Sequence, residues 1–152
     1  MAVSKGVFKK DLKVGKKFEG IICKIIQKKY PKAYVIKGYE KRFDIYIPEI
    51  EKFVEVKYDD MSHETGNYLI ETEYGGNPSG LTTTKADWWA IVDRKVIVWV
   101  PTESLKFIVK AYKEVSLRGR GDSKFKKGFL IPKGNLQESP LVKVQSLDNE
   151  KI

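Results

Sequence analysis

The sequence predicts a mixed α/β (α+β) domain, in which a mostly antiparallel sheet is flanked by helices. Three observations indicate this class: apolar residues at helical spacing near the start, several alternating strand-like segments in the middle, and a second helical pattern after Pro101. A chain of 152 residues can bury one core. We therefore expect a flexible basic tail over residues 1–10, a single domain over 11–135, and a polar C-terminal tail over 136–152.

The first predicted element is a helix from about Asp11 to Tyr30, which Pro31 would end. Glu19 lies one turn before an apolar position, beside the apolar stripe of this helix. Its carboxylate is expected either at the edge of the core or in a shared polar site. The apolar positions that define the stripe are Val14, Phe18, Ile21, Ile22, Ile25 and Ile26.

Strand-like segments follow the helix. "AYVIKGY", "RFDIYI" and "KFVEVKYD" predict three consecutive strands of a meander, and "NYLIETEY" (67–74) predicts a fourth. "GGNPSG" (75–80) is typical of a turn or mobile loop. Two further apolar strands surround "DRK" (93–95), and a helix is then expected to begin near Thr102, with Thr102 as its N-cap.

Cysteine and histidine counts restrict the chemistry. Cys23 is the only cysteine and His63 the only histidine, which exclude an internal disulfide and the usual zinc sites and disfavour a serine or cysteine triad. A metal would then be held by carboxylates and carbonyls, which favours Mg²⁺ or Mn²⁺. No apolar run is long enough to span a bilayer, and the start lacks the apolar core of a secretion signal. We therefore expect an intracellular (cytoplasmic) protein with no membrane segment.

The net charge of +9 is unevenly distributed along the chain. Residues 1–42 carry 13 Lys and Arg against 3 acids, residues 43–105 carry 5 against 12, and residues 106–152 carry 11 against 5. Basic flanks are typical of proteins that bind a polyanion, and an acidic centre can concentrate cations. A surface that is simply rich in lysine would give the same basic flanks.

An acid-x-lysine triplet occurs four times, at residues 11–13, 55–57, 93–95 and 122–124. Three of the four lie in predicted helix starts, turns or basic loops, where a solvated charge needs no special explanation. Only "EVK" at 55–57 lies inside a predicted strand. This triplet is therefore the one that indicates a site.

The period of a strand places Glu55 and Lys57 on one face, together with Phe53. Asp44 lies on the preceding strand, and adjacent antiparallel strands can bring Asp44 and Glu55 to one cation. Two carboxylates bind a hard divalent cation, which lowers the pKa of a bound water. A lysine two residues further along can hold the attacking water or stabilise charge on a phosphate.

This constellation resembles the PD-(D/E)xK nuclease superfamily, including its phage-type and Holliday-junction-resolvase-like members. The resemblance implies a restriction-endonuclease-like fold, in which a helix precedes a strand meander that carries the acids. It implies that Asp44 and Glu55 bind metal, with a contribution from the Val56 carbonyl, and that Lys57 is catalytic. Glu19 stands where several resolvases add a glutamate from the first helix.

The resemblance implies a Mg²⁺- or Mn²⁺-dependent DNA endonuclease whose products carry a 5′-phosphate, and, if the protein is a junction resolvase, a homodimer. Two features depart from the family. Phe43 precedes the first acid where the family often has proline, and no obvious helix follows the motif. The alternative from a different class is a non-catalytic nucleic-acid-binding protein with a basic surface.

Further residues are candidates around this site. Glu71 either adds a carboxylate or is solvated, and Lys85 lies in a hydroxyl-rich segment suited to contacting phosphates. Trp88 and Trp89 lie in an apolar run and are expected in the core rather than as base-stacking platforms. The basic stretch 118–128 is expected either to grip DNA or to be a solvated arm. The DNA contacts predicted there are Arg118, Arg120, Lys124, Lys126 and Lys127.

Overall fold

The computed structural model describes residues 5–38, 43–118 and 124–147, and Arg120 lies outside these ranges. The helices are α1 (Lys5–Gln27), α2 (Ser62–Thr65), α3 (Thr102–Ile108) and α4 (Lys133–Gln137). The strands are β1 (Tyr34–Val35), β2 (Ile45–Ile47), β3 (Lys52–Tyr58), β4 (Asn67–Tyr74), β5 (Asn77–Pro78), β6 (Trp88–Val92), β7 (Val96–Pro101), β8 (Glu114–Leu117), β9 (Lys126–Pro132) and β10 (Lys143–Ser146).

Six strands form the main sheet, in the order β1-β2-β3-β6-β7-β10. Every neighbouring pair is antiparallel except β3 and β6, which run parallel with Glu55 opposite Trp89. Parallel neighbours need a long crossover, and here it passes through α2, β4 and β5. The predicted class, a mostly antiparallel mixed sheet flanked by helices, is confirmed.

A second sheet has four antiparallel strands in the order β5-β4-β9-β8. The segment "NYLIETEY" forms a strand with the predicted bounds, but it pairs with β9 rather than extending the meander. A bulge between Glu71 and Glu73 interrupts the β4–β9 register. The stretch after the motif therefore contains a four-residue helix and a strand of another sheet, in place of a full helix.

Two apolar cores lie on opposite faces of the main sheet. On one face, Val54 and Val56 of β3 pack with the apolar stripe of α1. On the other, Phe53 packs against the core that the main sheet shares with β4, β9, α3 and α4. The predicted alternation along β3 is thus confirmed. Trp89 is buried as predicted, whereas Trp88 is partly exposed.

Helix α1 is longer than predicted at its start and shorter at its end. It begins at Lys5, so residues 5–10, where the sequence predicts a tail, are part of the helix. The helix ends at Gln27, and the amide of Tyr30 donates to the Ile26 carbonyl as the chain turns. No helix among the described residues is long and apolar enough to cross a membrane.

The C-terminal region and the start of α3 also differ from expectation. Residues 136–152 were expected to form a polar tail, but β10 pairs with β7 as an edge strand of the main sheet. The four residues of β10, "KVQS", contain a single apolar side chain, which is too few to show strand alternation, and their pairing is non-local. Thr102 does not cap α3 with its side chain; its buried hydroxyl donates to the Ala86 carbonyl at 2.7 Å.

Candidate active site

Asp44, directly before β2, and Glu55 of β3 form a carboxyl pair. The β2–β3 register pairs Ile45 with Val54, and continuing it by one residue places Asp44 opposite Glu55. The two carboxyl groups are hydrogen bonded. Asp44 is 8% exposed and the Glu55 side chain 14% exposed, so both groups are largely withdrawn from water.

The backbone fixes the orientation of Asp44. Its Oδ2 accepts a 2.7 Å hydrogen bond from the Val56 amide, and its own amide donates to the Val54 carbonyl at 2.9 Å. Its carbonyl accepts from the Ile36 amide at 2.8 Å. The Asp44 carboxylate is therefore anchored to β3 at the residue after Glu55, which holds it against the Glu55 side chain.

The environment of Glu55 favours its neutral form. The pKa of Glu55 is raised to about 8. Burial is the largest cause, Lys57 opposes it, and the nearby Asp44 carboxyl adds to the rise. The pair therefore holds a proton at neutral pH. Because a divalent cation can replace a proton between two carboxylates, this arrangement is a potential cation site.

Lys57 is placed beside the pair. Its Nζ lies 3.5 Å from Glu55 Oε1 and 5.7 Å from the centroid of the Trp89 ring. The side chain remains accessible to solvent. Below it, Trp89 is buried, and its Nε1 has no hydrogen-bond partner among the described residues. Lys57 is thus a cation at the open side of a buried acidic pair.

Glu19 does not form a group of three possible metal ligands with Asp44 and Glu55. Helix α1 packs on the face of β3 that carries Val56, opposite to Glu55, and the Phe18 ring stacks on Tyr58 at 4.4 Å. Among the described residues, no three His, Cys, Asp or Glu side chains form a group that could hold a metal. Roles for Glu19 and for the Val56 carbonyl as ligands stay predictions.

Glu71 lies on β4, where its carboxylate fixes the following loop. Its Oε2 accepts a 2.9 Å hydrogen bond from the Ser79 hydroxyl, and Gly80, at φ +51°, packs directly against the Glu71 carbonyl. Two more bonds reach the Thr72 carbonyl, from the Ser79 amide and the Thr82 hydroxyl. The loop is therefore bonded to β4 through several hydrogen bonds. A role for Glu71 as an additional metal ligand stays a prediction.

Asp87 has a positioning role that the sequence did not reveal. Its Oδ2 accepts from the Phe53 amide at 2.9 Å, and the Phe53 carbonyl accepts from the Asp87 amide at 2.8 Å. This double contact fixes the start of β3, two residues before Glu55. The two residues are 34 positions apart, so no local pattern could indicate the contact.

The "DRK" triplet forms the predicted turn, between β6 and β7, and Arg94 and Lys95 are exposed in it, but the expectation of a solvated charge is wrong for Asp93. Asp93 is 1% exposed and accepts hydrogen bonds from the Tyr68 hydroxyl at 2.7 Å and from the amides of Lys95 and Val96. The Lys133 Nζ lies 3.0 Å from its Oδ2. Burial would raise the pKa of Asp93, but these donors together outweigh it, and the pKa is lowered.

The predicted DNA contacts fall in separate places. Lys85 is exposed in the loop before β6. Lys126 and Lys127 lie in β9, and the Lys127 Nζ pairs with Glu73 at 3.6 Å. Arg118 and Lys124 are exposed on either side of residues 119–123, which lie outside the described ranges, as does the predicted contact Arg120.

Comparisons of the chain with protein-family models, with curated proteins and with solved structures give no match.

Proposed function

We propose that this protein is a Mg²⁺- or Mn²⁺-dependent DNA endonuclease with a restriction-endonuclease-like fold. The observation that carries the proposal is the buried contact between Asp44 and Glu55, with the Lys57 ammonium 3.5 Å from Glu55. Buried acids with a strongly perturbed pKa and a specific charged neighbour are characteristic of functional sites.

The donor set fits a hard divalent cation. Asp44 and Glu55 are the two carboxylates that would hold it, in place of the proton they hold at neutral pH. Mg²⁺ is usually bound by one or two carboxylates, with water and substrate phosphates completing its shell, so a third protein ligand is not required. When bound, such a cation supplies Lewis acidity toward water and the phosphate.

The chain's own residues account for orientation and for charge. The Val56 amide holds Asp44 in place at 2.7 Å, so the carboxylate needs no reorganisation when substrate arrives. The Lys57 side chain reaches solvent and carries three donors. We assign it to hold the attacking water or to stabilise the negative charge that develops on the phosphate.

The topology supports the proposed fold. Helix α1 precedes an antiparallel β1–β2–β3 meander, and β3 has a parallel neighbour in β6. This is the order that the resemblance implies, with a helix first, then Asp44 at the start of β2 and Glu55 in β3. The short helix after β3 departs from it, because β4 and β5 occupy the crossover.

The test is DNA cleavage with and without metal. Supercoiled plasmid, single-stranded DNA and a four-way junction would each be incubated with Mg²⁺, Mn²⁺ or EDTA. We expect cleavage with either metal and none in EDTA. We also expect loss of cleavage in Glu55→Gln and Lys57→Met, and normal cleavage in the exposed controls Glu103→Gln and Lys52→Met. Cleavage that persists in EDTA or in Glu55→Gln would refute the mechanism.

A finer form of the proposal is a structure-selective nuclease for branched DNA, such as a Holliday junction resolvase. Such an enzyme must cut two symmetric strands, so it requires a homodimer. Sedimentation of the Glu55→Gln variant with a four-way junction would test this. Two chains per junction and preference over linear duplex are expected, and a strict monomer on the junction would contradict it.

The second candidate is a non-catalytic nucleic-acid-binding protein. The observation that favours it is a set of lysines exposed along α1. It predicts binding that weakens steeply with salt, needs no divalent cation and causes no hydrolysis. The exposed lysines are Lys13, Lys16, Lys17 and Lys24 of α1, with Lys28 and Lys29 in the turn that follows it.

A further inference from the structure

Aromatic rings and cations are combined at one end of the second sheet, in a group of four residues that we call the stacking cluster: Tyr74, Arg118, Phe125 and Lys126. The Arg118 guanidinium lies 4.5 Å from the centroid of the Phe125 ring, and the Lys126 Nζ lies 5.9 Å from that of Tyr74. Both aromatic residues thus have a positive charge next to the ring.

Strand pairing holds the cluster together. Lys126 of β9 stands opposite Tyr74 of β4 and opposite Leu117 of β8. One residue further along, the Gly75 amide donates a 2.9 Å hydrogen bond to the Phe125 carbonyl. Gly75 adopts φ +58°, which favours glycine, so the chain turns there while staying bonded to the opposite strand. The backbone under both rings is therefore fixed.

Phe125 is 54% exposed, which is unusual for a phenylalanine, a residue that usually lies in the core. Phe125 comes directly before β9 and does not pack against the core beneath the second sheet, whereas Phe129 of β9 does. An exposed ring beside a guanidinium offers a flat apolar face and a positive charge together. A nucleotide presents the complementary pair, a flat base and a negative phosphate.

Duplex and unpaired nucleotides differ in their access to such a site. In a duplex the faces of the bases are stacked on one another, so only the phosphates and base edges can be contacted. An unpaired base can stack on an aromatic side chain, which is worth about 1–3 kcal/mol per base. Cations alone would bind both forms of DNA, and the exposed ring adds binding for the unpaired form only.

We propose that the stacking cluster binds unpaired nucleotides of DNA, with a base on Phe125 and the backbone phosphates near Arg118 and Lys126. The inference rests on the proposed function only in taking DNA as the ligand. It specifies the substrate as DNA with a single-stranded segment, and it does not depend on hydrolysis.

The experiment measures binding without cleavage. Fluorescence anisotropy in EDTA, at one fixed salt concentration, would compare a labelled oligothymidylate of about 20 nucleotides with a duplex of the same length. Phe125→Leu removes the flat ring and keeps an apolar side chain. The matched control is Phe107→Leu, because Phe107 is an exposed phenylalanine on α3, outside the cluster. Arg118→Lys keeps the charge and removes the planar group.

We expect Phe125→Leu to weaken single-strand binding by about tenfold and duplex binding by less than about twofold. Arg118→Lys should also weaken single-strand binding more than duplex binding, and Phe107→Leu should change neither. Unchanged single-strand binding in Phe125→Leu, or an equal loss for both forms of DNA, would overturn the inference.

The same measurement separates this inference from the nuclease proposal. If the protein binds neither form of DNA, both proposals fail. If single-strand binding depends on Phe125 but no metal supports cleavage, the nuclease proposal fails and the present inference stands.

Discussion

Two buried acidic centres of this protein differ in how their charges are satisfied. Asp93 accepts four hydrogen bonds or ionic contacts, from Tyr68, two backbone amides and Lys133, and its pKa is lowered. Glu55 faces another carboxyl in a buried place, and its pKa rises to about 8. A fully satisfied buried carboxylate stabilises the fold, whereas an under-satisfied one is available for a ligand.

Substitutions at the two centres should differ most in their effect on the rate of DNA cleavage. We expect Glu55→Gln to lower metal-dependent DNA cleavage by about a thousandfold or more, because cation binding supplies several kcal/mol to the transition state. Asp93→Asn should cleave normally per folded molecule. The measurement is the initial rate of plasmid nicking in Mg²⁺, with folded fractions from circular dichroism. An equal loss of cleavage in the two variants would contradict a specific role for Glu55 in cleavage.

In contrast to cleavage, the free energy of unfolding should depend strongly on Asp93. Asp93→Asn leaves Lys133 and the Tyr68 hydroxyl without their charged partner, so we expect the free energy of unfolding to fall by about 3 kcal/mol. Urea unfolding measures this. Asp60→Asn is the matched control, because Asp60 forms an exposed pair with Arg94 at 2.7 Å and its loss should change little. A similar small effect for both variants would contradict the structural role of Asp93.

The contributions of Glu55 and Asp93 to folding stability should also change in opposite directions with pH. Glu55 has an ordinary pKa of 4.5 and a folded pKa of about 8, so the folded protein holds a proton that the unfolded chain releases. This contribution to stability is complete below the ordinary pKa and is lost as pH rises toward 8, by up to about 1.4 kcal/mol per pH unit. The lowered pKa of Asp93 acts in reverse, because its contribution is lost as pH falls.

Metal-free urea unfolding between about pH 5 and pH 8 would test this. We expect the stability of the wild type, relative to Glu55→Gln, to decline across that range. Parallel pH profiles for the two proteins would show that Glu55 does not hold the proton assigned to it.

The smallest expected effect is the release of a proton when Mg²⁺ binds. Because Glu55 is protonated at neutral pH, Mg²⁺ binding to the pair should release about 0.9 proton per site at pH 7. Calorimetry in two buffers of different ionisation enthalpy measures this release. Asp93 has no proton to release, so Asp93→Asn should release as much as the wild type. Mg²⁺ binding without proton release would mean that the cation binds elsewhere.

Local periodicity accounts for the part of this site that the sequence could predict. The alternation along β3 separates Glu55 and Lys57 from Val54 and Val56, and a hairpin neighbour brings Asp44 opposite Glu55. These facts depend on residues close together in the chain. The parallel pairing of β3 with β6 does not, and neither does the assignment of β4 to a second sheet.

The errors have the same origin. The sequence places Asp93 in a turn, which is correct, but it does not predict the burial of its carboxylate, because the partners Tyr68 and Lys133 come from β4 and α4. The short strand β10 has no pattern of its own and forms by pairing with β7. In both cases tertiary contacts, which no window of the sequence contains, decide the burial.

The parallel pairing of β3 and β6 has a consequence for the order of folding. Asp44 and Glu55 meet within one hairpin, so a short chain closure brings them together early. Trp89, which lies opposite Glu55, arrives only after the crossover through β4 and β5 has been placed. We therefore expect Asp44 and Glu55 to meet before the pairing with β6 buries Glu55, so that the raised pKa of Glu55 appears only in this later step of folding.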